Sequence, residues 1–266
     1  MAVPTLAEFM ARVVLWPLPG EAGVINIHWT NPTHPGMGGK PFVLLSDFLA
    51  IIPWCNNHPK FVKDVYFCLS RQKKVGPIVN GKAKPLRNHD NSTHLRAIWL
   101  DVDVKAPPKG YRTLNDAIDA VTKFCADAKL PSPSALVFSG GGLHVYWFSN
   151  TPLTVAEWQP YANGLRALAV QHGLICDYGV TVDCARVLRV PGTFNHKTVP
   201  AKEVKPLALG VDYDFKSTLT HVPLVQAQPV TATVTPAKTS AKTSARQAHT
   251  DRMITRIIKR PLRSVS

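Results

Sequence analysis

No run in this 266-residue sequence approaches the roughly 18 apolar residues that a membrane-spanning helix needs. The opening MAVPTLAEFMARVVLW also lacks the charged-then-apolar order of a secretion signal, so neither export nor membrane insertion is expected. Acids are scarce. Seventeen Asp and Glu stand against 31 Lys and Arg, a net charge of +14 and an isoelectric point near 9.8. That balance favours a polyanionic partner, nucleic acid first and an anionic membrane surface second. The five cysteines, at 55, 68, 125, 176 and 184, are odd in number and scattered. They argue against a disulfide framework and for a reducing, cytoplasmic setting. Cys55 and His58 have zinc-like spacing, but no second ligand pair follows them. A GxxxxGK[ST] loop is absent as well, since GMGGKP fails on spacing and on Pro41 after Lys40. There is no internal repeat.

What is present is ample material for a core, with 45% hydrophobic residues, and a composition break near residue 226. Residues 226–250 are rich in Thr, Ala, Lys, Pro and Ser, the profile of a flexible linker. Residues 251–266 form a short basic segment with Met253, Ile254, Ile257 and Ile258 at helical spacing. Residues 226–266 hold eight Lys and Arg against one acid, half of the chain's excess charge. This tail reads either as a solvated extension or as an arm for DNA or for a protein partner.

Residues 1–225 read as α+β. TLAEFMARVVLW, PFVLLSDFLAIIPW, residues 113–129 and TVAEWQPYANGLRALAVQHGL suit helices, with Thr113 as an N-cap and Gly173 as a C-terminal stop. GVINIHW, DVYFCLSRQ, HLRAIWLDVDVK and EVKPLAL suit strands, and SALVFSGGGLHVYWFSN suits two strands joined at a glycine turn. Strands bunched between helices predict an antiparallel sheet flanked by helices rather than a doubly wound one.

Three stretches carry chemistry. In IWLDVDVK, residues 98–105, strand alternation puts Asp101 and Asp103 on one face, roughly 7 Å apart. Their repulsion is unfavourable unless a cation faces them, and carboxylates suit hard cations such as Mg²⁺ or Mn²⁺. Two such ions can clamp both oxygens of a phosphoryl transfer. The competing reading is a solvated Asp-x-Asp at a turn. In SGGGLHVYW, residues 139–147, three glycines exceed the need of a hairpin turn and let backbone N–H groups approach a ligand. A plain hairpin with a core histidine, His144, is the bland alternative. In CDYGVTVDCARVLRVPGTFNHK, residues 176–197, Asp177 and Asp183 precede Arg186, Arg189 and Lys197. Carboxylates followed by cations across a Pro-Gly turn suit metals on one side and phosphates on the other. Taken alone, a surface ion-pair cluster also explains them.

The order of the three is more specific than any one of them. DxD on a strand, SGxGxH on a hairpin, then Asp with a downstream R-x-PGT-x-N-x-K resembles the archaeo-eukaryotic primase superfamily over roughly residues 60–215. The compact primase-polymerases of phages and plasmids are most similar. The resemblance implies a catalytic domain over 1–225 with a sheet related to the RNA-recognition fold. It implies catalytic metal ligands at Asp101, Asp103 and a third aspartate, with two Mg²⁺ or Mn²⁺ ions as cofactors. Nearness to Arg186 and Arg189 favours Asp183 as the third, whereas the ungapped family register places it at Asp177, the expectation adopted here. Nucleotide binding is implied for Ser139, Gly141, His144, Arg189, Asn195 and Lys197, with Asn195 standing where eukaryotic small subunits have histidine. The implied activity is primer synthesis by nucleotidyl transfer on a single-stranded DNA template from NTPs or dNTPs, with a replicative helicase as a candidate partner of the tail. A non-catalytic nucleic-acid-binding module and a metal-dependent phosphodiesterase are the alternatives.

Overall fold

A computed structural model describes residues 4–33 and 36–224; the expected linker and basic tail lie outside them. Among the described residues no helix is long and apolar enough to cross a membrane. Helix α1 (Leu6–Val13) starts at a capping box, in which Thr5 and Glu8 satisfy each other's backbone N–H. It buries Phe9, Met10 and Val13. Strand β1 (Ile25–Thr30) pairs with β2 (Met37–Phe42) and leads to α2 (Leu45–Asn57). The sequence reading began this helix at Pro41. The structure instead commits Pro41 and Phe42 to β2, where they pair with Asn26 and Ile25.

The segment DVYFCLSRQ, expected as one strand, divides into β3 (Val65–Cys68) and β4 (Arg71–Gln72), which belong to different sheets. A small hairpin follows, β5 (Ile78–Val79) and β6 (Lys82–Ala83). It turns at Asn80-Gly81, both at positive φ, a signal in the sequence that went unread. Then come β7 (Ser92–Asp103) and α3 (Leu114–Asp127), whose capping box joins Thr113 and Asp116. Next are β8 (Ala135–Phe138), β9 (Gly142–Thr154) and α4 (Val155–Gln171), with Gly173 at φ +66° just beyond it. The remaining elements are α5 (Tyr178–Thr181), β10 (Val187–Arg189), β11 (Phe194–Asn195), β12 (Lys202–Glu203), β13 (Lys205–Leu209) and α6 (Phe215–Thr218). The EVKPLAL stretch, expected as one strand, therefore contributes to two.

The anticipated α+β architecture is present, but with two principal antiparallel sheets where one was expected. One has strand order β13-β8-β9-β7-β4, and the other β10-β3-β1-β2. Phe9 on α1 packs between them, with its ring centroid 5.4 Å from Tyr146, 6.2 Å from Phe148 and 6.0 Å from Phe67. Burying one such ring contributes about 1.5–3 kcal/mol, so α1 holds the two sheets together as one core.

The remaining edge of β7 is covered by α4 and α5. Trp158 stacks on Trp99 at 5.2 Å and its Nε1 donates to the Ala97 carbonyl. Trp99 Nε1 donates to the Val180 carbonyl. This covering brings the segment before α5 against the aspartate end of β7.

Candidate active site

Strand pairing places the first two motifs side by side. Asp101 is opposite His144 and Asp103 opposite Gly142 in the β7–β9 ladder. His144 Nε2 lies 3.8 Å from Asp101 Oδ1, too far for a hydrogen bond. Asp103 instead pairs with Lys105 at 2.6 Å. The third motif reaches this point through the backbone, since the Asp177 N–H donates to the Asp101 carbonyl at 2.9 Å. The Asp177 carboxylate caps α5 by accepting from the N–H groups of Gly179 and Val180. Asp183 turns elsewhere and accepts from Ala185 N–H.

The electrostatics follow from burial. Asp101 makes no hydrogen bond through its carboxylate among the described residues, and burial is the main reason its pKa is pushed up to about 6. Asp103 and Asp177 add to the rise, while Arg186 and Arg189 oppose it. His144 is buried to 2% exposure, and burial, then Arg189 and Arg186, hold its pKa down to about 3. It is therefore a neutral imidazole at pH 7. The Tyr146 hydroxyl lies 3.4 Å from its Nδ1 and, with its own pKa raised by burial, stays protonated. A bond donated by Tyr146 to Nδ1 leaves the imidazole proton on Nε2, facing Asp101.

The four-stranded sheet supplies cations. Arg189 is opposite Tyr66, which is opposite His28, so the three form a row across β10, β3 and β1. The Arg189 guanidinium lies 5.3 Å over the Tyr66 ring, with its Nε 3.6 Å from Asp64 Oδ1. That same oxygen accepts from the His196 N–H at 2.9 Å. Arg87 Nη1 anchors to the Ala185 carbonyl. Among the buried nitrogens without a hydrogen-bond partner here are His28 Nε2, Arg186 Nε and Arg189 Nε. Leaving a buried donor without a hydrogen bond costs about 1–3 kcal/mol, and an anion is the group that would satisfy the two guanidinium nitrogens. Burial, then Arg87, keeps His28 neutral by lowering its pKa to about 4.

The glycine turn and the Pro-Gly loop are joined by Asn195. Its Nδ2 donates to the Ser139 carbonyl and its Oδ1 accepts from Lys197 N–H. The amide is thus spent on backbone, and Asn195, 2% exposed, positions the loops. Gly140 sits at φ +78°, and a Cβ there would come within 2.5 Å of the Asn195 Cβ, so the loop can lie this close only without a side chain. Gly141 accepts from Val104 N–H, and Ser139 N–H donates to the Gly142 carbonyl. Lys197 is exposed at the rim.

Sequence reasoning passed over Asp64, Tyr66, His28 and Arg87. The alternation that singled out Asp101 and Asp103 also runs through INIHWT, with Asn26, His28 and Thr30 on one face of β1. Asp64 and Tyr66 lie two residues apart in the same way.

As to metal, carboxylate oxygens are the right donors for a hard cation, and Asp101, whose carboxylate makes no hydrogen bond and whose charged form burial disfavours, is a group that such a cation would satisfy. Among the described residues, no three His, Cys, Asp or Glu groups are drawn together as a finished cage. The fit is therefore one of chemistry and neighbourhood.

These features define a two-sheet α+β protein in which Asp101, at an acidic strand end, lies within electrostatic reach of Arg186 and Arg189. The archaeo-eukaryotic primase (AEP) domain of the cyanophage S-2L primase-polymerase is similar to it with a TM-score of 0.52 and 18% identity, over 77% of this chain and 92% of that one. Primase RepB′ is similar at 0.46 and 14% identity, over 88% of this chain and 62% of that one. The RepB′ catalytic domain in complex with initiator DNA is similar at 0.46 and 13% identity, over 86% and 89%. No family model matches the sequence, and no curated protein matches it either. The chain thus shares the fold of that primase-polymerase domain, as its motif order led one to expect.

Proposed function

We propose that the protein is a cytoplasmic primase-polymerase that synthesises primers on single-stranded DNA by nucleotidyl transfer from NTPs or dNTPs. The observation that supports this reading most is the gathering just described: Asp101 and Asp103 share one strand end, the Asp177 backbone is bonded to Asp101, and Arg186 and Arg189 lie close enough to act on the Asp101 carboxyl. Asp101, Asp103 and Asp177 are the oxygen donors that would hold two Mg²⁺ or Mn²⁺ ions, whose chemistry is to acidify the attacking hydroxyl and neutralise the triphosphate. Arg189 and Arg186 bind the triphosphate, since guanidinium is always charged and matches phosphate geometry. Neutral His144 offers its Nε2 proton to a phosphate oxygen without adding a second full charge. Ser139 and Gly141 shape the loop beside the nucleotide, Asn195 holds that loop in place, and Lys197 meets phosphate at the rim.

Residues 1–225 form the catalytic domain in this reading, 226–250 a linker, and 251–266 a basic arm for the template or for a helicase. The deciding experiment incubates the protein with single-stranded template, labelled NTPs or dNTPs, and Mn²⁺. Products longer than the label support the reading. Template cleavage would instead indicate a phosphodiesterase, and binding without turnover a nucleic-acid-binding module.

A further inference from the structure

The site above leaves one surface of the four-stranded sheet unexplained. Trp29 lies near the end of β1, Trp54 on the last turn of α2, and His58 just beyond that helix. Their rings form a continuous run. Trp29 meets Trp54 edge-on at 5.9 Å, and Trp54 stacks on His58 at 4.8 Å with the planes 27° apart. The support beneath is fixed. A Cβ on Gly38 would come within 2.4 Å of Trp29 Nε1, so that ring lies directly against β2. His58 Nδ1 is 2.7 Å from the Trp54 carbonyl, and Phe61 N–H donates to the His58 carbonyl.

Trp54 faces water at 40% exposure, and Phe61, three residues beyond His58 in the chain, does so at 56%. Lys60 and Lys63 are exposed beside them. Asp64 is the one acid between residues 54 and 64, and it is buried and bonded to His196 N–H. The segment from Trp54 to Asp64 thus exposes aromatic and cationic groups and no carboxylate. It borders the candidate site, because Asn56 Nδ2 donates to the Gly192 carbonyl and ties α2 to the loop that carries Asn195 and Lys197.

We propose that this surface is a stacking platform for the unpaired bases of a single strand beside the site. The inference rests on the function proposed above and assigns the template's path within it. Every base has a π-face, so exposed aromatics bind it without reading sequence, while lysines follow the phosphates. A protein-docking face is the other candidate, but protein interfaces are depleted in lysine, and here Lys60 and Lys63 flank the rings.

The test measures binding of the full chain, without nucleotides, to oligo(dT) and to an abasic strand of equal length across a salt series. Trp54→Ala and Phe61→Ala should each weaken oligo(dT) binding roughly tenfold, the scale of one lost base stack. Their salt slope should not change, because stacking releases no counterions, and abasic binding should stay at the wild-type level. Lys60→Ala with Lys63→Ala should instead flatten the slope by about 0.7 per lost contact. Wild-type affinity for oligo(dT) in both aromatic variants, or equal losses on the two strands, would overturn the platform. Should Trp54→Ala melt early, the more exposed Phe61→Ala decides. Base-dependent binding in a protein that makes no primers would sink the enzymatic reading and keep the platform. Normal primer synthesis with unaltered binding in the variants would do the reverse.

Discussion

The two sheets bring opposite electrostatics to one place, and burial acts on them differently. On the five-stranded sheet, Asp101 is pushed up to about 6 while His144 across the ladder is held down to about 3. Both shifts have one main cause, since burial disfavours the charged form of either group. On the four-stranded sheet His28 responds in the same way, falling to about 4. The arginines cannot respond, because guanidinium does not lose its proton in proteins. Arg186 and Arg189 therefore remain charged, with buried Nε atoms that make no hydrogen bond, Arg189 Nε lying 3.6 Å from Asp64. One sheet offers acids that want a cation and the other offers cations that want an anion. Under the proposed function, a nucleotide's phosphates with their counterions would satisfy both.

The largest test of this contrast is Asp101→Asn. Primer synthesis should fall below detection while the fold survives; full synthesis in Mg²⁺ would remove Asp101 from the site. Stability should move the other way. Because folding raises the Asp101 pKa from its ordinary 3.8 to about 6, the folded state binds the extra proton in that window. The metal-free wild type therefore loses stability as pH rises from about 4 to about 6. The asparagine variant escapes that loss, so above pH 6 it should melt a few degrees higher, and below pH 4 the gap should close.

Next in size is the comparison of Asp177→Ala with Asp183→Ala in primer extension. Asp177 is tied by its backbone to Asp101, whereas Asp183 serves only its own turn. Asp177→Ala should lose nearly all activity and Asp183→Ala should keep most of it. The reverse result, with both proteins folded, would move the acidic side of the site to Asp183.

Gly140→Ala should act on stability and on the loop together. Its Cβ would crowd Asn195 at 2.5 Å and the Lys202 carbonyl at 3.0 Å, at a φ of +78°. A loss of about 1–3 kcal/mol in urea unfolding is expected. Gly141→Ala, whose Cβ would meet only Asn195 Nδ2 at 3.2 Å, should cost less. Equal effects would mean that the loop does not depend on its contact with Asn195.

The smallest effect is that of His28→Gln. A histidine with a pKa lowered from 6.5 to about 4 takes up its proton more readily when unfolded. The wild type therefore loses stability as pH falls from about 6.5 to 4. The glutamine variant should fall less steeply over that range. Identical acid limbs in thermal melts would remove His28 from the buried row.

Much of the fold was legible beforehand, as were several of the residues that the candidate site brings together. Helices α1, α3 and α4 announce themselves through Thr-x-x-Glu and Thr-x-x-Asp capping boxes and apolar periodicity. The long strands β7 and β9 do so through residue alternation. Short strands were harder, because β2 carries Gly-Gly-Lys-Pro and two-residue strands have no period to read. The carboxylate motifs stood out because acids are conspicuous in apolar strands. The role of Asn195 did not, since an amide looks alike whether it meets a nucleotide or a backbone carbonyl.

By itself, then, the sequence determined the local matters: where the longer helices run, which strand carries a paired-aspartate face, that the chain is basic, and that glycines crowd one turn. These depend on a residue and its near neighbours along the chain. Only the tertiary structure decided that DVYFCLSRQ divides between two sheets, that Asp177 rather than Asp183 reaches Asp101, and that His28, Tyr66 and Arg189 form one row. Those outcomes depend on which edges pair and which rings share the core around Phe9. That is a competition among contacts distant in sequence, which no local pattern encodes.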